Sequence, residues 1–406
     1  MYQDCAARLS KILRSLIADA QEGLPVYNIL AYGQMISDRV RLDAYSEALR
    51  RTIKPGSAVL DLGTGPGIMA LLACRFGARK VYAIEADPVI DVAREIAVSN
   101  GFGGQIKFIE GLSTKVNLPE RVDVIVSDVG GILPWFQQHL GTVEDARRRF
   151  LAPGGVMIPK KHVVWFGVVE SEGAYFDHSH PWETGHGFEM GAARVMASNS
   201  RKKVHLQPEA LLSPPQCGVV LDYMTVKEPD SRVEATFLVT RHGIAHGMLV
   251  WSDYVLTGDI SFSNAPGRAS NIYGQTFFPW TKPVSLKIGD VVTATLRCNL
   301  VADDYIFRWS TEVLGQGKEA DVKAKFDQSD FHSCPLSPTA LRKGAETYVP
   351  RTNGDALIDR FILTSMDGEA PVGEIAARLA RSFPHQFKRP SEALDRVARI
   401  SRAYSE

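Results

Sequence analysis

The sequence predicts an α/β domain built on an open parallel sheet, followed by an antiparallel β domain and a small helical module. Three observations carry that expectation. Ala58 to Pro88 (AVLDLGTGPGIMALLACRFGARKVYAIEADP) runs strand, glycine turn, helix, strand, acid, a βαβ unit. From about residue 160, long helix–strand units give way to short runs with period-two alternation. After a breaker-rich stretch, residues 355–406 return to helical spacing. A chain of 406 residues suits two or three domains.

Bulk properties narrow the functional classes. Lys and Arg number 46, as do Asp and Glu, so no basic excess suits general nucleic-acid or anionic-membrane binding. The five cysteines, Cys5, Cys74, Cys217, Cys298 and Cys334, are scattered without a C-x-x-C pair. They read as reduced thiols of a cytoplasmic protein, not as a disulfide or metal framework. No apolar run has the length of a membrane span, and Asp4 stands where a signal peptide would be basic.

In chain order, Leu9, Ile12, Leu13, Leu16 and Ile17 place an amphipathic helix over residues 1–20. A second helical stretch, Tyr27 to Leu49, presents Met35, Val40, Tyr45 and Leu49 on an apolar face, with Arg39 and Arg41 close by. Residues 1–50 are thus helices covering a ligand site or simply packing, and residues 51–159 form the Rossmann-like domain. Within it, Asp61 precedes Gly63, Gly65 and Gly67, whose backbone turns sharply and admits a close ligand. Gly77 caps the following helix, and Glu85 ends the next strand, where a carboxylate holds a ribose by its hydroxyls. The glycines run G-T-G-P-G, not the G-x-G-x-x-G of dinucleotide folds. The set resembles the S-adenosylmethionine site of class I methyltransferases.

Beyond it, Asp91 to Ser99 reads as helix, Gln105 to Ile109 as strand, and Val122 to Ser127 as a buried strand ending in Asp128-Val129-Gly130-Gly131. Ligands of open parallel sheets bind at the carboxyl ends of strands, so Asp128 faces that site. Leu133 to Phe150 is expected as a helical crossover and Val156–Ile158 as the next strand. Residues 160–333 form the antiparallel domain, a barrel or sandwich, with a polar stretch near 191–215 that is either an arm or a loop. Residues 334–354 link it to three short helices: Ala356 to Met366, Val372 to Ser382 and Ser391 to Tyr404. Ser391 reads as an N-cap, with Leu394, Val397 and Ile400 on one face. The module is winged-helix-like and locally basic, which suits either DNA or peptide docking.

Tyr32-Gly33-Gln34-Met35, Asp38 to Tyr45 (DRVRLDAY), VLDLGTGPGI, GARKVYAIEA, LPERVDVIVSD and LAPGGVMIP together resemble the catalytic core of protein arginine N-methyltransferases. Gly187-Phe188-Glu189-Met190 and Gly274-Gln275-Thr276-Phe277-Phe278 extend the resemblance into the β region, so that it covers roughly residues 27–315. It implies a SAM-binding domain, a β-barrel, and an arm near 191–215 that forms homodimers. It also implies that Met35 and Arg41 contact the methionine end of the cofactor, Asp61 and Gly63 line the turn, Glu85 binds the ribose, and Ser113 and Thr114 border the adenine.

The acceptor half departs from that pattern. Where the family holds guanidinium between two glutamates, this chain has Asp128 and, nine residues on, Gln137. The family's Thr-His-Trp becomes Asn271-Ile272-Tyr273. A desolvated guanidinium needs anionic, bidentate partners. The expectation is therefore a methyltransferase acting on a non-arginine acceptor in a peptide precursor or small biosynthetic intermediate. Asp128 would orient or deprotonate the nucleophile, or else merely cap its turn, and Gln137 would assist. The alternatives are arginine methylation with a carboxylate borrowed from Glu144 or Asp145, and a non-catalytic scaffold of the same fold.

Overall fold

Leu62, the last residue of β1 (Ala58–Leu62), pairs directly with Ser127, the last of β4 (Val122–Ser127). That pairing lies at the centre of a five-stranded parallel sheet of order β3-β2-β1-β4-β5, where β2 is Lys80–Glu85, β3 Ile106–Glu110 and β5 Leu151–Ile158. The strand order reverses beside β1, so the ends of β1 and β4 form the crevice in which such sheets bind ligands. In this computed structural model the described residues are 28–183, 185–316 and 321–405; the helix expected over 1–20 lies outside them.

Helices flank the sheet: α1 (Ile29–Ser37), α2 (Arg39–Thr52), α3 (Ile68–Arg75), α4 (Val89–Ser99) and α5 (His139–Phe150). The helical stretch expected over Tyr27 to Leu49 breaks, among its described residues, at Asp38, whose extended backbone caps α2 and whose carboxylate accepts from the Arg41 amide. The crossover expected from Leu133 begins only at His139. Pro134 and the left-handed Gln137 (φ 45°) prevent an earlier start, and Trp135 is drawn into the β-domain core instead. Its indole donates to Ser231 Oγ at 2.8 Å, and its ring meets Phe307 edge-on.

Two antiparallel sheets make up the β-barrel domain. One runs β7-β12-β10-β6-β8, with β11 alongside β10: β6 Lys161–Val169, β7 Lys202–Val204, β8 Gln216–Asp222, β10 Gly243–Thr257, β11 Ile260–Ser263 and β12 Gln275–Leu286. The other runs β15-β14-β13-β9: β9 Ser231–Leu238, β13 Val291–Val301, β14 Asp304–Leu314 and β15 Val322–Ser329. Aromatic rings fill the space between them; Phe278 meets Trp309 edge-on at 5.2 Å and Trp280 stacks on Phe326 at 5.3 Å. The stretch expected as an arm over 191–215 divides. Helices α6 (Glu172–Ser179) and α7 (Gly191–Ser198) form the excursion, while residues from 202 pair with β12 and belong to the sheet.

The chain falls into two units, residues 1–335 and 336–406. The second contains α8 (Pro338–Lys343), α9 (Gly354–Ser365), α10 (Val372–Ser382) and α11 (Pro390–Tyr404) around Ile358, Ile362, Leu379, Val397 and Ile400. No strand occurs among its described residues, so its likeness to a winged helix rests on helices alone. Helix α11 starts two residues earlier than a Ser391 cap implies, because Arg389 is the N-cap and Pro390 suits the first helical position. Its buried face is Ala393, Val397 and Ile400, and Leu394 points outward.

Candidate active site

The glycine turn is built to receive a ligand on backbone atoms. Gly63, Gly65 and Gly67 have φ of 73°, 51° and 90°, values that L side chains rarely adopt. A Cβ on Gly63 would lie 2.4 Å from Val129 Cγ1, and one on Gly65 would lie 2.9 Å from the Tyr32 ring. Tyr32 and Val129 therefore roof the turn from α1 and from the loop after β4. Beneath it, Asp61 Oδ2 accepts from Thr64 Oγ1 at 2.5 Å and from the Ala70 amide at 2.9 Å. Complete burial pushes the Asp61 carboxyl up to about 7, against the lowering effect of those bonds. Glu85 reaches back from β2 to accept from the Gly65 amide at 2.9 Å and also takes the Ala86 and Asp87 amides. Three of its roughly four lone-pair positions are thereby filled.

Helix α2 supplies the opposite wall. Asp38, Arg41 and Tyr45 recur at helical spacing and so share one face. Arg41 pairs with Asp128 through Nη1 and donates from Nη2 to the Met35 carbonyl at 2.7 Å. The Tyr45 hydroxyl lies 3.2 Å from both the Ser127 carbonyl and Asp128 Oδ1 and shares its one proton between them, while Tyr273 donates to Asp128 Oδ1 at 2.5 Å. Asp38 accepts the Ile272 amide at 2.8 Å, which fixes the turn that delivers Tyr273. Burial and the neighbouring Asp128 charge hold the Tyr45 and Tyr273 hydroxyls well above the usual phenol range, so both remain donors. Burial works to lower the Arg41 pKa, but Asp128 and its neighbours outweigh it and keep the guanidinium charged. The Asp128 side chain stays 18% exposed against 4% for Arg41, so of the pair Asp128 is the one an acceptor can reach.

Asp128 thus joins Arg41, Tyr45 and Tyr273, whereas Gln137 is not brought into hydrogen-bond contact with it. Gln137 is exposed, and its backbone N–H is held by Asp304 at 3.0 Å. The borrowed carboxylates are spent elsewhere. Asp145 pairs with Arg148 and Arg149, and Glu144 lies 3.8 Å from Arg147 and Arg148. Ser113 is buried and Thr114 exposed; Arg149 clamps their turn by donating to the Ser113 carbonyl at 2.5 Å and the Val116 carbonyl at 2.7 Å. Sequence reasoning missed this clamp, although the Asp145–Arg149 spacing of four residues signalled its ion pair. It also missed Asp38 and Tyr45 as partners of this site.

A second polar group lies under the loop that follows Asp128. His139 rests against Gly130, where an added Cβ would lie 3.2 Å from Nε2. That nitrogen is 2.9 Å from the Tyr223 hydroxyl, which is in turn 3.3 Å from His162 Nδ1. Tyr254 donates to the Ile132 carbonyl at 3.3 Å and meets the His162 ring edge-on. Burial pushes His139 down to about 4 and His162 well below its ordinary value, so both are neutral at physiological pH. Nine buried side-chain polar atoms lack a hydrogen-bond partner among the described residues. Two of them, Arg41 Nε and Ser127 Oγ, belong to residues bonded to or next to Asp128, and a third is His139 Nδ1.

Comparison with known proteins agrees with this layout. Residues 45–158 match the family model described as ribosomal protein L11 methyltransferase, and residues 162–312 match the arginine methyltransferase oligomerization subdomain. Protein arginine N-methyltransferase 1 of Dictyostelium discoideum is 28% identical over 273 residues, 65% of this chain and 80% of that protein. Protein arginine N-methyltransferase PRMT10 of Arabidopsis thaliana is 30% identical over 293 residues, 63% of this chain and 76% of that protein. Among solved structures, Arabidopsis thaliana protein arginine methyltransferase 10 in an open conformation has a TM-score of 0.65 at 26% identity, covering 75% of this chain and 98% of that one. The Trypanosoma brucei PRMT1 enzyme–prozyme heterotetrameric complex with AdoHcy shares the fold, with a TM-score of 0.67 at 22% identity over 77% of this chain and 99% of that one. The parallel sheet, its glycine turn, the β-barrel domain and these relatives agree: the chain belongs to the protein arginine N-methyltransferase family of class I S-adenosylmethionine-dependent methyltransferases.

Proposed function

We propose that this methyltransferase delivers its methyl group to an uncharged N–H or O–H acceptor, not to a guanidinium. One observation carries the reading: Asp128 is already committed. Its Oδ1 accepts the Tyr273 hydroxyl and shares the single Tyr45 proton with the Ser127 carbonyl, and its Oδ2 accepts Arg41, so only one or two of the roughly four lone pairs on a carboxylate remain. Arg41 also balances its charge. A guanidinium would find a single, neutralised contact where it needs a bidentate anion. Gln137 is neutral, Glu144 and Asp145 are in ion pairs, and Ile272 has no polar side chain.

The donor side fits S-adenosylmethionine, which supplies a sulfonium-bound methyl for in-line displacement. The unpartnered Arg41 Nε is suited to the cofactor's carboxylate, Glu85 keeps room for a ribose hydroxyl, and the glycine turn offers backbone that side chains would crowd. Met35, Asp61, Gly63, Gly65 and Gly67 would line this side, with Ser113 and Thr114 toward the adenine. Positioning of two reactants is the main task of such a site. The acceptor belongs to a peptide precursor or a small biosynthetic intermediate, and the second unit, with Arg399 and Arg402 exposed, favours the peptide. A homodimer through α6 and α7 is supported by the matched oligomerization subdomain and by exposed Phe176, Phe188 and Val195.

The names of the relatives favour arginine as the rival acceptor, and one assay separates the two. Labelled methyl transfer is compared on arginine-rich peptides and on peptides offering amide, amine or hydroxyl acceptors, with Asp128→Ala as control. Transfer to the uncharged set is expected. Efficient, Asp128-dependent labelling of guanidine groups would overturn the proposal.

A further inference from the structure

We propose that the loop joining β11 to β12 forms, with His205, a binding site for a small oxyanion, a carboxylate or phosphate group. The site goes beyond the acceptor reading above and does not depend on it. A cavity of about 40 Å³ lies here, against the roughly 10–15 Å³ that one water needs, so a group larger than water fits. Its walls come from residues 205–207, 264–265, 267–271 and 274–275, and no acid is among them. The floor is already paired. Asn264, Asn271 and Gln275 are buried, and their side-chain N–H groups donate to the Gly274, Ser263 and Asn264 carbonyls. Their side-chain oxygens accept the Ser252, Tyr273 and Leu206 amides at 2.7, 3.1 and 2.8 Å. The side-chain oxygens that would repel an anion are thus each engaged, in a frame set before any ligand arrives.

The donors, by contrast, are free. The Arg268 guanidinium lines the cavity without a hydrogen bond or ion pair among the described residues. The backbone N–H groups of Ala269, Ser270 and Asn271 have no partner there either, although Asn271 is buried. Ser270 Oγ lies 3.5 Å from His205 Nδ1, the outer limit of a hydrogen bond, so both groups can turn to a ligand. Close approach holds the walls together: a Cβ on Gly274 would lie 3.0 Å from His205 Nε2, and one on Gly267 would lie 2.6 Å from Pro208. Lys203 donates to the Ile272 carbonyl and brings a second cation to the same turn. Hydrogen bonds from a guanidinium to a carboxylate or phosphate are charge-assisted, and the planar fork can take two oxygens at once. The site adjoins the chemistry, because Tyr273, which bonds Asp128, stands between the wall residues Asn271 and Gly274.

The test uses inorganic phosphate on the ¹⁵N-labelled full chain at constant ionic strength, with chloride as control. Phosphate should give saturable shifts at the Ala269, Ser270 and Asn271 amides, and chloride none. Arg268→Met should weaken phosphate by about tenfold, the loss of one charge-assisted bond, and Arg268→Lys should recover part of it. Arg268 is exposed, so both variants should fold as wild type does, and Ser270→Ala should show a smaller loss independently. No saturable shift in wild type, an equal response to chloride, or undiminished phosphate binding by Arg268→Met would each overturn the proposal. Methyl transfer to the uncharged acceptors, measured with phosphate added, identifies the source of the oxyanion. A raised KM at unchanged kcat assigns the site to an anionic group on the acceptor, and an unchanged KM assigns it to a free anion; either supports the site. Efficient guanidine labelling would overturn the acceptor reading and leave the result of the phosphate titration untouched.

Discussion

The Tyr273 hydroxyl donates to Asp128 Oδ1 at 2.5 Å, joining the β-domain turn at 271–273 to the end of β4. Tyr273 is buried and stacks on Tyr254 at 5.1 Å, so its ring is held while its hydroxyl acts. Tyr273→Phe keeps the ring and removes one donor from a carboxylate. A loss of about 1.5–3 kcal/mol in urea unfolding is expected, the range for hydrogen bonds to charged groups. Affinity for S-adenosylhomocysteine should change little, because Arg41 retains its pairing.

Gly63 and Gly65 test the donor side. Gly63→Ala must displace Val129, and Gly65→Ala must displace the Tyr32 ring, each at a positive φ that alanine resists. Calorimetry should find S-adenosylhomocysteine binding lost or reduced by about a hundredfold in each, from strain of about 1–3 kcal/mol plus the clash. Adding Val129→Ala should recover part of the Gly63→Ala loss and none of the Gly65→Ala loss.

Arg149 tests the adenine-side turn. The guanidinium spans two carbonyls while Asp145 and the Phe150 face hold it in place. Arg149→Met should weaken S-adenosylhomocysteine by about tenfold through loss of that preorganisation. Methionine retains much of the aliphatic packing, so urea unfolding should move far less than binding does.

Asp61 gives a pH signature. Its folded-state pKa is raised to about 7 by burial, so the native protein holds a proton that the unfolded chain releases near its ordinary value. Native stability from this group is therefore full at low pH and declines as pH rises toward and through 7. Asp61→Asn keeps an oxygen for Thr64 and Ala70, so its unfolding free energy should fall less between pH 5 and pH 8 than that of wild type. Parallel curves for the two proteins would refute the assignment.

Much of the donor half was legible because local rules and the fold agree there. A buried strand, glycines at positive φ, a helix and a terminal acid leave few alternatives, and in the structure Glu85 reaches the Gly65 amide of that turn while Asp61 is buried beneath it. The acceptor half was read by residue type but not by partner. Asp128 looked like an open carboxylate in sequence, because Arg41, Tyr45 and Tyr273 meet it across as many as 145 residues. Gln137 looked like a helical neighbour, and the helix begins two residues later. His139 drew no notice because Tyr223 and His162, which give it meaning, come from the other domain. Gly130, where a side chain would meet its ring, was the one signal.

Helix α2 grips both halves of the enzyme with three side chains: Asp38 on the Ile272 amide, Arg41 on Asp128, and Tyr45 on the same carboxylate. A small tilt of that rod would be felt at Asp128 and at the 271–273 turn together, since it holds both by hydrogen bonds. Loading one compartment should therefore tune the grip of the other, and thermodynamic reciprocity makes the influence equal in both directions. An enzyme wired in this manner discourages idle occupancy, because each ligand helps to set the stage for its counterpart.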